Sequence, residues 1–288
     1  YVTAQGDDGK RIAEMTQPSG SSTLTLSTFD DHQYHELDLV NIAHLGRRWF
    51  GESFDINQEQ DFEFNFPNFD TSTPVKLMIT GASAAFTPTS FVDSANGQEV
   101  GTLSFSALNP NSDVEFNLSS LPSNTSFNGA ENIKIKLTYN NNGVPGSKGY
   151  LDNIRLIAKR KLQGYGKQFH FQYDLSNSSL EIANYTISNA AGINQIWDVT
   201  DIQNVTEVEN QNQSSFSFKA NLGELRKYVA LDASDYYIPL KENKSKITNQ
   251  NLKGTLFKNA AGQFQDIDYV IISPSFLLLQ MMSFFEIR

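Results

Sequence analysis

Apolar residues at every second position, in segment after segment, leave this chain few ways to fold. "DFEFNF" sets Phe62, Phe64 and Phe66 on one face and Glu63 and Asn65 on the other. "NIKIKLTY" turns Ile133, Ile135, Leu137 and Tyr139 inward and Lys134 and Lys136 outward. "QFHFQYDL" alternates Phe169, Phe171 and Tyr173, which leaves His170 facing solvent. Side chains of an extended strand point alternately to opposite faces, so this pattern is that of a strand with one buried face. "VKLMIT", "GTLSFSAL", "DVEFNL" and "YLDNIRLIA" extend the series, separated by "FPNFDTSTP", "NPNSD" and "YNNNGVPGSKG". Clusters of Pro, Gly and Asn mark turns, and no helical stripe of useful length intervenes. The fold class that follows is mostly β, built on an antiparallel, jelly-roll-like sandwich.

The boundaries follow the same signals. Residues 1–36 read as the end of a preceding β region, and 37–162 as the jelly-roll-like sandwich. Residues 163–250 read as a second β domain, through "NQIWDVTD", "SSFSFKANL" and "RKYVALDA". Within it, "SLEIANYTIS" changes phase between Ile182 and Tyr185, which predicts a bulge. The short basic run "AKRKL", Ala158–Leu162, reads as a solvated strand end or a linker.

From Asp268 the pattern changes. "DYVIISP" is a continuous apolar run, as in a strand covered on both faces. Ser273 or Ser275 then caps a helix beginning near Phe276. Residues 251–288 therefore read as the truncated start of an α/β domain. Asp268–Arg288, with unpaired strand edges, is the segment expected to be least stably packed.

Composition narrows the chemistry. Hydrophobic residues make up 39% of the 288, with Phe at 21 copies, enough for packed cores. A formal charge of −10 opposes nucleic-acid binding. The longest apolar run, Phe276–Phe285, is shorter than the about 20 residues of a membrane-spanning helix. The absence of cysteine removes a thiol nucleophile from the chain. "DDHQYHELD" sets His32 and His35 among carboxylates, a candidate zinc or manganese site whose alternative is a solvated polar loop. Asp152 and Asn153 in "YLDNIRL" are candidate oxygen ligands for a structural calcium ion, or plain turn residues. No cofactor is otherwise implied.

Three stretches carry a resemblance: "DLVNIAHLGRRWFGESFD" (38–55), "GYLDNIRLIAKRKL" (149–162) and "ITNQNLKGTLF…DIDYVIISPSFL" (247–278). In sequence, order and spacing they resemble the gingipain-like C-terminal signal peptidases of the bacterial type IX secretion system. The resemblance implies a large exported protein of Bacteroidota on the outer face of the outer membrane. In that family β-rich domains precede a caspase-like α/β peptidase domain. The enzyme removes C-terminal sorting signals from secreted cargo and attaches the cargo to the cell surface. The implied partners are outer-membrane and shuttle proteins of the system and the cargo's C-terminal signal domains. Family catalysis uses a Cys–His dyad, and no residue here matches either member, so this chain is expected to be inactive alone. The alternative reading is a free-standing carbohydrate-binding or adhesin sandwich that uses Trp49, Tyr139 or Tyr150.

Overall fold

The computed structural model describes residues 9–44, 46–238, 240 and 258–264. The chain falls into two units, 2–237 and 238–288 together with Tyr1. In the second unit the described stretch 258–264 is a hairpin closed by a Lys258–Phe264 bridge, with Gly262 at a φ of 77°. The strand and helix expected from Asp268 onward, and the packing of Asp268–Arg288, lie outside the described residues.

The larger unit is two β-sandwiches. In chain order its strands are β1 (Ala13–Glu14), β2 (Leu24–Leu26), β3 (Thr28–Glu36), β4 (Ser53–Phe54), β5 (Glu59–Asn65), β6 (Val75–Ala84), β7 (Thr89–Ala95), β8 (Gln98–Phe105), β9 (Asn117–Ser120), β10 (Ser126–Phe127), β11 (Asn132–Asn140), β12 (Lys148–Lys161), β13 (Gln168–Gln172), β14 (Ile182–Ser188), β15 (Gln195–Asp198), β16 (Thr206–Glu209), β17 (Ser215–Asn221) and β18 (Lys227–Leu231). The first sandwich faces the sheet β10-β6-β12-β3, joined by β4 and β9, against the sheet β5-β11-β7-β8. The second faces β1-β16-β15-β18-β13 against β17-β14-β2.

The alternating rows behave as the period requires. Phe62, Phe64, Phe66, Ile133, Ile135, Leu137 and Tyr139 are buried in or against the first core, with Leu77, Ile154 and Leu156 from the opposing sheet. Phe169, Phe171, Tyr185, Phe218 and Tyr228 fill the second. His170 is exposed. Gly149 lies where the rings of Phe91 and Tyr139 lean onto β12, and a Cβ there would come within 2.7 Å of both.

The first 36 residues are distributed between the two sandwiches. β1 and β2 pair in parallel with β16 and β14 of the second, whereas β3 runs antiparallel to β12 as an edge of the first. Parallel neighbours need a long crossover, and here the whole first sandwich is that crossover. Alternation within one strand carries no information about its partner, which is why 1–36 read as belonging to an upstream region.

No bulge interrupts β14. It pairs with β17 in unbroken register, with Ala183, Tyr185 and Ile187 inward and Ile182 on the other face. Small Ala183 holds the core position, so the apparent phase change was only a large residue on the outer side. Register shifts fall instead at Asp152 in β12 and at Asp93–Ser94 in β7.

Candidate functional site

The sandwiches meet along the outer face of β3 and β12. On β3, Asp30, His32 and Tyr34 share that face; on β12 their cross-strand partners are Lys159, Ile157 and Arg155. The second sandwich contributes β13, the end of β18 and a 3₁₀ turn, Asp174–Ser178. Between them lies a cleft of about 610 Å³ lined by, among others, Asp30, His32, Tyr34, Arg155, His170, Gln172, Asp174 and Lys227.

A continuous polar chain crosses this cleft. Lys159 Nζ is 2.9 Å from Asp30 Oδ1, and Asp30 Oδ2 accepts from the Asp174 backbone N–H at 2.9 Å. Both Asp174 carboxylate oxygens are 2.9 Å from His32 Nε2, and Oδ1 also accepts from Gln172 Nε2 at 2.7 Å. Arg155 Nη2 donates to His32 Nδ1 at 2.9 Å. A guanidinium has only donors, so Nδ1 is the acceptor and the proton sits on Nε2, aimed at Asp174. With both ring nitrogens engaged, His32 is a connector rather than a base awaiting substrate.

Burial alone would raise the Asp174 carboxyl, but the hydrogen bonds from His32 and Gln172, with the Lys159 charge, hold it below the usual carboxylate range. A depressed folded-state value means stability present above about pH 4 and lost as the pH falls below it. Asp174→Asn should therefore flatten the acid limb of urea-unfolding midpoints below about pH 4. An acid limb as steep in the variant as in the parent would show that the cleft carboxylate is not linked to folding.

The four residues singled out from sequence do not converge. His32 and His35 stand on opposite faces of β3, because three positions separate them in a strand of period 2. His35 Nε2 bonds Glu52 Oε1 at 2.8 Å and its ring centroid lies 4.7 Å from that of Phe62. The solvated-loop alternative also fails, since "DDHQYHE" is strand throughout. Asp152 sits at the β12 bulge, its carboxylate 3.1 Å from Arg48 Nη1. Burial raises its pKa against the opposing Arg48 charge. Asn153 returns to the ladder opposite Thr80 and Glu36. The charge partner of Asp152 in the structure is therefore the Arg48 guanidinium. Among the described residues no three His, Asp or Glu side chains group as metal ligands.

The basic run Ala158–Leu162 is a junction, not a solvated end. Lys159 binds Asp30 as above, and Arg160, 7% exposed, binds Asp31 at 3.0 Å and the Pro67 carbonyl at 2.6 Å. The aromatics proposed for sugar binding separate in the same way: Tyr139 and Tyr150 are buried, and Trp49 is 44% exposed. Sequence reading passed over Arg155, Gln172, Asp174 and Lys227. The parity of "NIRLIAKRK", which turns Arg155 and Lys159 outward together, was the one local signal; the His32–Asp174 contact spans 142 positions.

No family model matches the chain, and no curated protein does. Among solved structures, dimeric latent PorU from Porphyromonas gingivalis matches with a TM-score of 0.68 at 18% identity. The match covers 78% of this chain and 22% of that one. This chain and PorU share a fold. The shared part extends over more residues than either sandwich holds, and this chain spans about a fifth of the PorU length. The carbohydrate-binding module CBM36, in complex with calcium and xylotriose, matches 41% of this chain at a TM-score of 0.26 and 16% identity. The insecticidal delta-endotoxin Cry8Ea1 of Bacillus thuringiensis matches 47% at 0.30 and 20% identity. Neither score supports an argument about this chain. No helix among the described residues is long and apolar enough to cross a membrane.

Proposed function

We propose that this chain is the non-catalytic β region of a gingipain-like cysteine endopeptidase of the type IX secretion system. In this reading the parent enzyme removes C-terminal sorting signals from cargo and attaches the cargo to the outer surface of the cell. The two sandwiches position the peptidase domain, or present surfaces to the system's outer-membrane and shuttle proteins and to the cargo signal domains. The observation that carries the reading is the fold match to PorU over 78% of the chain.

Two of the family-like stretches have a physical role in this fold. Phe50 of "LGRRWFGE" is fully buried, packing on Phe116 and Tyr150 in a small core of its own, and Arg48 reaches Asp152. "GYLDNIRLIAKRKL" is β12, the strand that joins the sandwiches. The adhesin alternative loses two of its three aromatics to burial.

The reading is tested by sequencing the gene beyond Arg288 and by assaying the chain alone. A downstream peptidase domain with its Cys and His, together with no thiol-inhibitor-sensitive cleavage by these 288 residues, is the expected result. An unrelated downstream sequence, or such cleavage by the chain itself, overturns it.

A further inference from the structure

Arg48, Arg160 and Arg226 each reach a carboxylate: Asp152 at 3.1 Å, Asp31 at 3.0 Å and Asp198 at 2.8 Å. Arg155, half-buried in the wall of the cleft, reaches none among the described residues. Its Nη2 is spent on a neutral imidazole, its Nε is buried with no hydrogen-bond partner, and its guanidinium carbon lies 5.3 Å from the Tyr34 ring centroid. A desolvated guanidinium donor left unpaired is costly. The chain carries 32 acidic residues against 22 basic ones, so carboxylates are not scarce. Those nearby are committed elsewhere: Asp30 to Lys159 and a backbone N–H, Asp31 to Arg160, and Asp174 to His32 and Gln172.

The facing wall adds one cation, Lys227, and a second hydrogen-bonding ring, His170. His170 and Lys227 share one face of the β13–β18 pair, where Lys227 lies opposite Gln172, two positions along from His170. Both are exposed, and neither side chain has a hydrogen bond or ion pair among the described residues. We infer that the cleft is a binding site for a small-molecule oxyanion, a carboxylate or a phosphate, seated on the Arg155 guanidinium with Lys227 and His170 closing from the other sandwich. A planar guanidinium held on an aromatic ring presents fixed donors to such a group. The cleft volume is that of a small-molecule site. A ligand held this way touches both sandwiches, so it stabilises their joint state against unfolding.

The test titrates the 288-residue chain with inorganic phosphate and, separately, with succinate, at ionic strength held constant with sodium chloride. Heat of binding and thermal unfolding are the readouts. Saturable binding of one probe, with a rise in unfolding temperature, is expected, and the better probe identifies the class. Arg155→Gln should weaken it at least about tenfold, the worth of a charge-assisted hydrogen bond. Lys227→Gln should weaken it less, and Lys134→Gln, on the other sheet of the first sandwich, should leave it unchanged. The site is disproved if neither probe saturates below about 50 mM, if Arg155→Gln binds as the parent does, or if Lys134→Gln weakens binding equally. Should Arg155→Gln fail to fold, the exposed variants Lys227→Gln and His170→Gln decide, and parental affinity in both disproves it.

Discussion

Between pH 4 and pH 8 this protein should become less stable as the pH rises, and Asp93→Asn should abolish most of that slope. Asp93 is fully buried on the inner row of β7 among Thr89, Phe91 and Ala95, and neither carboxylate oxygen has a hydrogen-bond partner among the described residues. Desolvation, aided by the charge of Glu99, pushes its pKa up to about 8. An unfolded aspartate titrates near 3.9. Across the interval the folded state holds a proton that the unfolded state has released, so stability is full below the unfolded value and drains away as the pH rises through the folded one. One such group is worth on the order of 5 kcal/mol over the whole window, a large share of the 5–15 kcal/mol typical of a domain.

Asp70, Asp174, Asp201 and Asp232, all held below the usual range, act below this window and weaken the protein only on further acidification. Their combination with Asp93 places the stability maximum near pH 4–5, on the acid side of the usual optimum. Urea unfolding at half-unit pH steps resolves this. Asp93→Asn should match the parent near pH 4 and exceed it by several kcal/mol near pH 8. Parallel curves for the two proteins would mean that Asp93 is not protonated in the folded state.

Asp93 also marks where the sequence was legible and where it was not. The parity that assigned Phe62 and Ile135 to the core applies equally to "TSFVDSA", where Phe91 and Ala95 place Asp93 inside with them. The alternation by itself marks that carboxylate as an anomaly. Strand existence, face and core membership are local properties of a period-2 pattern, which is why Phe64, Leu137 and Phe171 were placed correctly. Pairing is not local. Nothing in "STLTLSTF" tells Leu26 to join the second core while Asp30, four positions on, faces the cleft. The cleft is assembled from β3, β12, β13 and β18, and its key contact joins residues 142 positions apart. The clustering of His32 and His35 in sequence suggested one site, and the strand turned them to opposite faces.

Arg160→Ala should be the most damaging single change at the join between the sandwiches. β12 runs its inner row Ile154, Leu156, Ala158 through the first core, and Leu162 beyond it belongs to the second. Arg160 is the polar residue between them. Its guanidinium lies over the rings of Phe29 and Tyr165, bonds the Pro67 carbonyl and pairs with Asp31. Truncation to alanine strands a largely buried carboxylate and a carbonyl together, a loss of about 3–5 kcal/mol. Lys134→Ala, which breaks an exposed pair with Asp61, should cost at most about 1 kcal/mol. Because the contact lies between the cores, the parent should unfold in one transition and the variant in two. Calorimetry reads both quantities. An Arg160→Ala protein that unfolds in one transition, within about 1 kcal/mol of the parent, would mean that β12 alone couples the sandwiches and that the Arg160–Asp31 pair is incidental. The double variant Arg160→Met with Asp31→Leu separates pairing from packing. Replacing both partners of a buried pair by apolar side chains is often neutral, so recovery of stability with two transitions retained would assign the ion pair to alignment of the sandwiches rather than to their stability.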